Sequence, residues 1–250
     1  MPVRHLDLCV LLVFASIQAC FAPAAFAWTS PAADVVLYCA PALQAPLHHL
    51  ADDFTGASGI PVHVFVAPPD GLIGLIRHRA RADVVVADAG TIGTLAAGGA
   101  VRAGSVVGLG RDALVLIARA DAPLPQDAGV SQLLGNHVVV LPDPTTAASF
   151  DGASVLRQVS DAPAQQIGVS DTPTVLAVVR ENGRLLGLVY QTEVPPAWAR
   201  VAATLPAAPT QMAGALVTLG QSGNAGRLLA YIAGKQGEAV LRQAGLEPLS

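Results

Sequence analysis

Cys39, the histidines His48, His49 and His63, and the carboxylates Asp83, Asp88, Asp143 and Asp171 are groups from which a reactive centre could be built. A metal site would need ligands converging on one ion. His48 and His49 are neighbours on a predicted helix and project about 100° apart, so they cannot readily chelate together. The sequence holds no HExxH and no Cys/His pair at zinc spacing, so the histidine pair reads as solvated helix positions and no metal or cofactor is expected. A thiol enzyme using Cys39 would need a base beside it, and no histidine is placed there by sequence. The serine-hydrolase elbow G-x-S-x-G is absent. Gly98-Gly99 and Gly108-Leu109-Gly110 lack the following Lys-Ser/Thr or the dinucleotide spacing of a phosphate loop. The aspartates fall at strand ends and helix starts, where capping and turns account for them without catalysis.

With little chemistry to position, the composition describes a binding scaffold. The 250 residues are 52% hydrophobic and 13% charged, enough for one large or two modest folded domains. A net charge of -4 and a single lysine, Lys235, leave no basic footprint for nucleic acid and no polybasic membrane patch. Arg4, the apolar run Leu8 to Phe14 and the Ala25-Phe26-Ala27 site form an export signal, so the mature chain is expected to start near Trp28. Lipid attachment at Cys20 is the weaker alternative, because Ile17-Gln18-Ala19 matches a lipoprotein signal poorly. Cys9 and Cys20 leave with the signal. Cys39 then remains alone and no intramolecular disulfide can form.

From Asp34 onward strand-like and helix-like stretches alternate. Val35 to Tyr38, Ile60 to Val66, Asp83 to Ala87, Ala113 to Ala118, His137 to Leu141, Leu185 to Tyr190, Val201 to Thr204 and Ala213 to Thr218 read as strands. Leu43 to Thr55, Leu72 to Arg79, Ala153 to Val159, Val175 to Arg180 and one long stretch from Asn224 to Ala244 read as helices. The strands are continuous apolar runs, as expected when both faces of a sheet are covered. Alternation of this kind predicts an α/β fold with largely parallel sheets. Pro/Gly-rich loops at Asp121–Gln126 and Leu205–Thr210 mark candidate lobe boundaries.

Several stretches, taken in order, resemble the molybdate-binding proteins of ABC importers, within the type II periplasmic binding proteins. Val36 to Leu43 resembles that family's first strand and the small-residue run after it. Arg81-Ala82-Asp83-Val84-Val85-Val86-Ala87-Asp88 resembles its Pro-Ala-Asp-Val stretch, Asp143-Pro144 its Gly-Asp-Pro turn, and Leu186 to Tyr190 its Gly-Ile-Val-Tyr strand. Gln236 to Pro248 resembles its closing helix and tail. The resemblance implies two α/β lobes, each a mostly parallel sheet flanked by helices, with a ligand cleft between them. Residues 28–111 and 212–250 would form lobe 1, residues 112–211 lobe 2, and residues 1–27 the signal.

The resemblance also implies a periplasmic, monomeric, non-enzymatic receptor that closes over a small solute and delivers it to a membrane permease. Its binding positions fall on Ala42, Pro69, Asp70, Ser149, Thr172 and Tyr190. Such receptors hold oxyanions with backbone N–H groups and hydroxyls at helix N-termini. Here Ala42 replaces a serine, Pro68 and Pro69 remove donors from a serine-rich loop, and Asp70 adds a negative charge. Tyr190 keeps the family's tyrosine. Two ligand classes follow: an oxyanion such as molybdate or tungstate if Asp70 points outward, or a neutral, zwitterionic or cationic solute if it faces the cleft. A periplasmic thiol or hydrolytic enzyme using Cys39, and a sensor subunit that has lost transport, are the alternatives of other classes.

Overall fold

Two five-stranded sheets carry the described part of the chain, which in this computed structural model comprises residues 34–125, 128–143, 152–159 and 165–249. In the first sheet β1 (Val35–Cys39) lies between β2 (Val62–Val66) and β3 (Val84–Asp88), all parallel. A strand from near the C-terminus, β10 (Thr210–Leu216), runs antiparallel between β3 and β4 (Val107–Asp112). The second sheet repeats this plan. There β6 (Val139–Pro142) lies between β7 (Gln166–Val169) and β8 (Leu186–Tyr190), all parallel. Then β5 (Leu114–Arg119) runs antiparallel between β8 and β9 (Ala199–Thr204). The strand orders β2-β1-β3-β10-β4 and β7-β6-β8-β5-β9 are thus the same arrangement twice.

The alternation of side chains along each strand explains the continuous apolar runs. Val35, Leu37 and Cys39 face one core with Leu47, Leu50 and Phe54 of α1 (Gln44–Ser58), Leu228 and Ile232 of α7 (Ala225–Ile232) and Leu241 of α8 (Lys235–Gln243). Val36, Tyr38 and Ala40 face the other, against Leu72 and Ile76 of α2 (Pro69–Arg77) and Ile92 and Leu95 of α3 (Ala89–Ala97). In the second sheet Leu114 and Leu116 meet Leu133 and Leu134 of α4 (Val130–Asn136) and Leu156 of α5 (Gly152–Val159). Val115 and Ile117 meet Val175 and Val179 of α6 (Thr172–Glu181). Gly187 in β8 lets α6 approach: a Cβ there would lie 2.9 Å from Val175 and 3.1 Å from Val179.

Two expectations change, and one strand is added that the sequence did not reveal. The stretch Asn224 to Ala244 is two helices, because the chain turns at Ala233-Gly234 and packs residue 237 onto the Ile232 carbonyl, 1.9 Å from where a Cβ would sit. Helical periodicity continues through such a break and does not reveal it. Asp121 to Pro125 is a loop inside the second lobe, between β5 and α4, and marks no boundary. The strand β4 sits where glycines interrupt the apolar pattern, since Gly108 and Gly110 make room for Leu249 and Leu246.

The chain passes between the sheets at Ala113, the single residue separating β4 from β5, and returns over 205–209. Near the first crossing the buried Asp112 accepts hydrogen bonds from the Thr192 hydroxyl (2.6 Å) and backbone N–H (3.3 Å), which ties β4 to the turn after β8.

Candidate functional site

Parallel strands of the two lobes end on a shared cavity of about 500 Å³. This follows from the topology, since open α/β sheets place their binding loops beyond the C-terminal ends of parallel strands. In lobe 1 the ends of β1, β2 and β3 bring Ala42, Val66 and Asp88 to the wall, with Met212 and Thr210 from β10. In lobe 2 the ends of β7 and β8 bring Ser170, Asp171, Thr172, Tyr190 and Glu193.

Of the residues singled out from sequence, Ala42, Pro69, Thr172 and Tyr190 line this cavity together. Asp70 is exposed in the first turn of α2 and does not line it. Pro68 and Pro69 form the cap and first residue of α2, so the stretch read as a loop is already helix. Ser149 lies outside the described residues, as do the export signal, Cys20 and Pro144. Sequence reasoning missed Asp88, Asp171 and Glu193 as cavity residues. The first two had been read as caps, which they also are.

The Asp88 carboxylate caps α3 by accepting from the Thr91 N–H (2.9 Å) and hydroxyl (2.6 Å). Asp171 caps α6 in the same way through the Thr174 N–H (2.9 Å) and hydroxyl (2.6 Å). The hydroxyl bond, more than the backbone one, holds the Asp171 carboxyl below the usual carboxylate range. Glu193 is half-buried, and its carboxylate accepts the Tyr190 N–H at 3.1 Å. Desolvation pushes its pKa up to about 7 against hydrogen bonds from Tyr190 and Thr172, with Asp112 adding repulsion. The Tyr190 hydroxyl lies 3.3 Å from the Thr210 hydroxyl, a contact between strands of different lobes. Burial pushes the Tyr190 phenol up to about 12, and the negative charges of Asp112, Asp88 and Glu193 act in the same direction.

No lysine, arginine or histidine lines the cavity among the described residues. Two of the histidines pair elsewhere: His49 with Asp53 (3.5 Å) and His63 with Asp34 (3.1 Å), both at the surface. Among the described residues, no three His, Cys, Asp or Glu side chains come together closely enough to hold a metal ion. Cys39 is fully buried in the first core, and desolvation pushes its thiol up to about 12. At neutral pH it is a packed thiol and not a nucleophile.

Two like-built lobes with a walled cavity between their strand ends define the class of two-lobed solute receptors. The chain belongs to the bacterial extracellular solute-binding proteins, whose profile it matches over residues 35–247. No curated protein sequence matches it. Among solved structures it is similar to the periplasmic molybdate-binding protein of Azotobacter vinelandii (TM-score 0.70, 18% identity, 87% of this chain and 100% of that one). It is also similar to iron-bound HitA from Pseudomonas aeruginosa (0.60, 15%, 84% of each chain). A third likeness is to an ABC-type phosphate transport receptor from Vibrio cholerae (0.56, 12%, 86% and 100%). At these identities the likeness fixes the fold and leaves the ligand to the residues of the cavity.

Proposed function

We propose that this solute-binding protein works in the periplasm as the monomeric receptor of an ABC importer, exported by residues 1–27. It binds a small solute between its lobes and presents the closed form to the permease, without turnover. The expected division into residues 28–111 with 212–250 and residues 112–211 is drawn at the sheets: β1–β4 and β10 with their helices act as one lobe and β5–β9 with theirs as the other, moving about the crossings at Ala113 and 205–209. The observation that carries this reading is the cavity of about 500 Å³ walled by strand ends from both sheets, the size and place of a small-molecule site. Contacts from both walls would stabilise the closed state over the open one, which is what couples binding to a change of shape.

Thermal unfolding across a panel of oxyanions, amino acids, amines and sugars tests it. A true solute at a hundredfold excess over its Kd should raise the midpoint by roughly 5–10 °C. Val66 lines the cavity and is 37% exposed, so Val66→Trp can fill the space without disturbing either core, and it should abolish the shift. A shift that persists in Val66→Trp would place the solute elsewhere.

A further inference from the structure

The cavity is the site, and its walls set the sign of what enters. An oxyanion receptor needs backbone N–H groups at the helix ends around the ligand. Here five lining residues are prolines, Pro41, Pro68, Pro69, Pro142 and Pro173, and none of them has an N–H to offer. Pro69 and Pro173 occupy the first turns of α2 and α6, where anion-binding donors would otherwise face the cavity. The N–H groups of Asp70 and Gly71 in the first turn of α2 belong to residues outside the lining. Two of the helix ends at the cavity are also answered by side chains, with Asp88 accepting from α3 and Asp171 from α6, and at the start of α1 the Leu43 and Gln44 N–H groups turn back onto the Ala40 and Pro41 carbonyls. A helix N-terminus is worth about half a positive charge and a capping carboxylate a full negative one, so each capped end is left net negative.

Nothing cationic among the described lining residues offsets this, and none of the described ion pairs involves Asp88, Asp171 or Glu193. A doubly charged oxyanion would face carboxylates across a cleft in which water screens little. From this geometry we infer that the solute is an organic cation, an ammonium or guanidinium group on a small apolar body. Its charged head would rest among Asp171, Glu193 and the hydroxyls of Thr172 and Tyr190, and its body against Val66, Pro69 and Ala42 of the opposite wall. Among the described residues no three carboxylate, imidazole or thiol groups converge on one centre, which favours an organic cation over a compact metal ion. At the Tyr190 phenol, burial first and the charges of Asp112, Asp88 and Glu193 after it oppose ionisation, in line with this sign.

The inference rests on the cavity being the solute site, and one calorimetric series separates the two. The probes are choline, its uncharged isostere 3,3-dimethylbutan-1-ol, agmatine, molybdate and sulfate, titrated into the full mature chain and into Val66→Trp, Asp171→Asn and Glu193→Gln. The expected result is binding of choline or agmatine, at least about tenfold tighter than the uncharged isostere and weakened several-fold by 0.5 M NaCl. Asp171→Asn and Glu193→Gln should each weaken cation binding while leaving the unfolding midpoint at pH 6 within a few degrees of the parent. Equal binding of choline and its isostere overturns the charge assignment, as does binding of molybdate or sulfate with both cations silent, or silence of both cations alone. Any of these probes that binds and is lost in Val66→Trp leaves the receptor reading standing. Binding that survives Val66→Trp removes the cavity as the site, whatever the charge of the probe.

Discussion

The two walls of the cavity are built to the same topological plan and are chemically unlike. On the lobe 1 side the chain delivers Ala42, Val66, Pro68, Pro69 and Met212, with Gln44 and Thr210 as polar groups and Asp88 as the one carboxylate among the described lining residues. On the lobe 2 side the equivalent ends deliver Ser170, Asp171, Thr172, Tyr190 and Glu193. One wall is mostly apolar, and the other is richer in hydroxyls and carboxylates. The difference teaches a division of labour. Polar groups held in place by lobe 2 can orient a solute, whereas the apolar wall of lobe 1 gains from desolvating it on closure. It also locates a cost. Lobe 2 keeps an ionisable side chain, Glu193, desolvated in the cavity wall itself, whereas the desolvated carboxylate of the other sheet, Asp112, lies outside the lining and is bonded to Thr192.

Removing that cost is the largest effect we expect. In the folded chain Glu193 holds its proton up to about pH 7, against an ordinary value of 4.5. Between those values the folded state carries the extra proton, so stability falls as pH rises and the full penalty is present above about pH 7. Glu193→Gln keeps an acceptor for the Tyr190 N–H and cannot ionise. It should therefore stabilise the protein by about 2 kcal/mol at pH 8 and by nearly nothing at pH 4. Urea unfolding at the two pH values checks this. Asp112, pushed up to about 6 chiefly by burial, stays in the variant and should preserve a milder slope between about pH 4 and 6. An equal effect at both pH values would mean that lobe 2 carries no desolvated charge and that the walls are energetically alike.

That asymmetry could not be seen from the sequence, although most of the architecture could. Continuous runs such as Val35 to Tyr38 and Leu185 to Tyr190 are legible because strands buried on both faces cannot alternate in polarity. What escaped was structure set by backbone and close packing: α3 with its two glycines, β4 with Gly108 and Gly110, short α4 and β7, and the break at Gly234. In the cavity, a familiar motif led to Tyr190, Thr172, Ala42 and Pro69, which share one wall or the other. Glu193 was invisible because its interest comes from desolvation by groups distant in sequence, such as Asp112. Asp88 and Asp171 were read as caps, and a cap that also faces a cavity looks the same in a sequence as one that does not.

These two caps are the point at which the walls agree, and they give the next effect in size. Asp88→Ala and Asp171→Ala should each cost about 1 kcal/mol through loss of the N–H acceptor at the start of α3 or α6. Asp88→Asn and Asp171→Asn should cost only a few tenths, because asparagine caps nearly as well. Chemical denaturation of the four variants decides it. If the Asn variants were as damaged as the Ala ones, the carboxylate charge itself would be holding the helix end, and the net negative field at the cavity would be smaller than the capping geometry implies.

The smallest effect concerns the contact that joins the two walls. The Tyr190 hydroxyl, at the end of β8, meets the Thr210 hydroxyl, at the start of β10, at 3.3 Å. That distance is long for a bond between hydroxyls, so its net contribution should be near the low end for hydrogen bonds, about 0.5 kcal/mol. Tyr190→Phe keeps the ring against both cores and removes only the hydroxyl, and Thr210→Val does the same from the other side. A double-mutant cycle on unfolding free energy should give a coupling of about 0.5 kcal/mol between them. The same cycle read on solute affinity should differ, because the bond spans the lobes and its strength depends on how they are set. A coupling that changes when solute is bound would make Tyr190 part of the closing motion as well as of the polar wall. A coupling identical in both states would confine it to the wall.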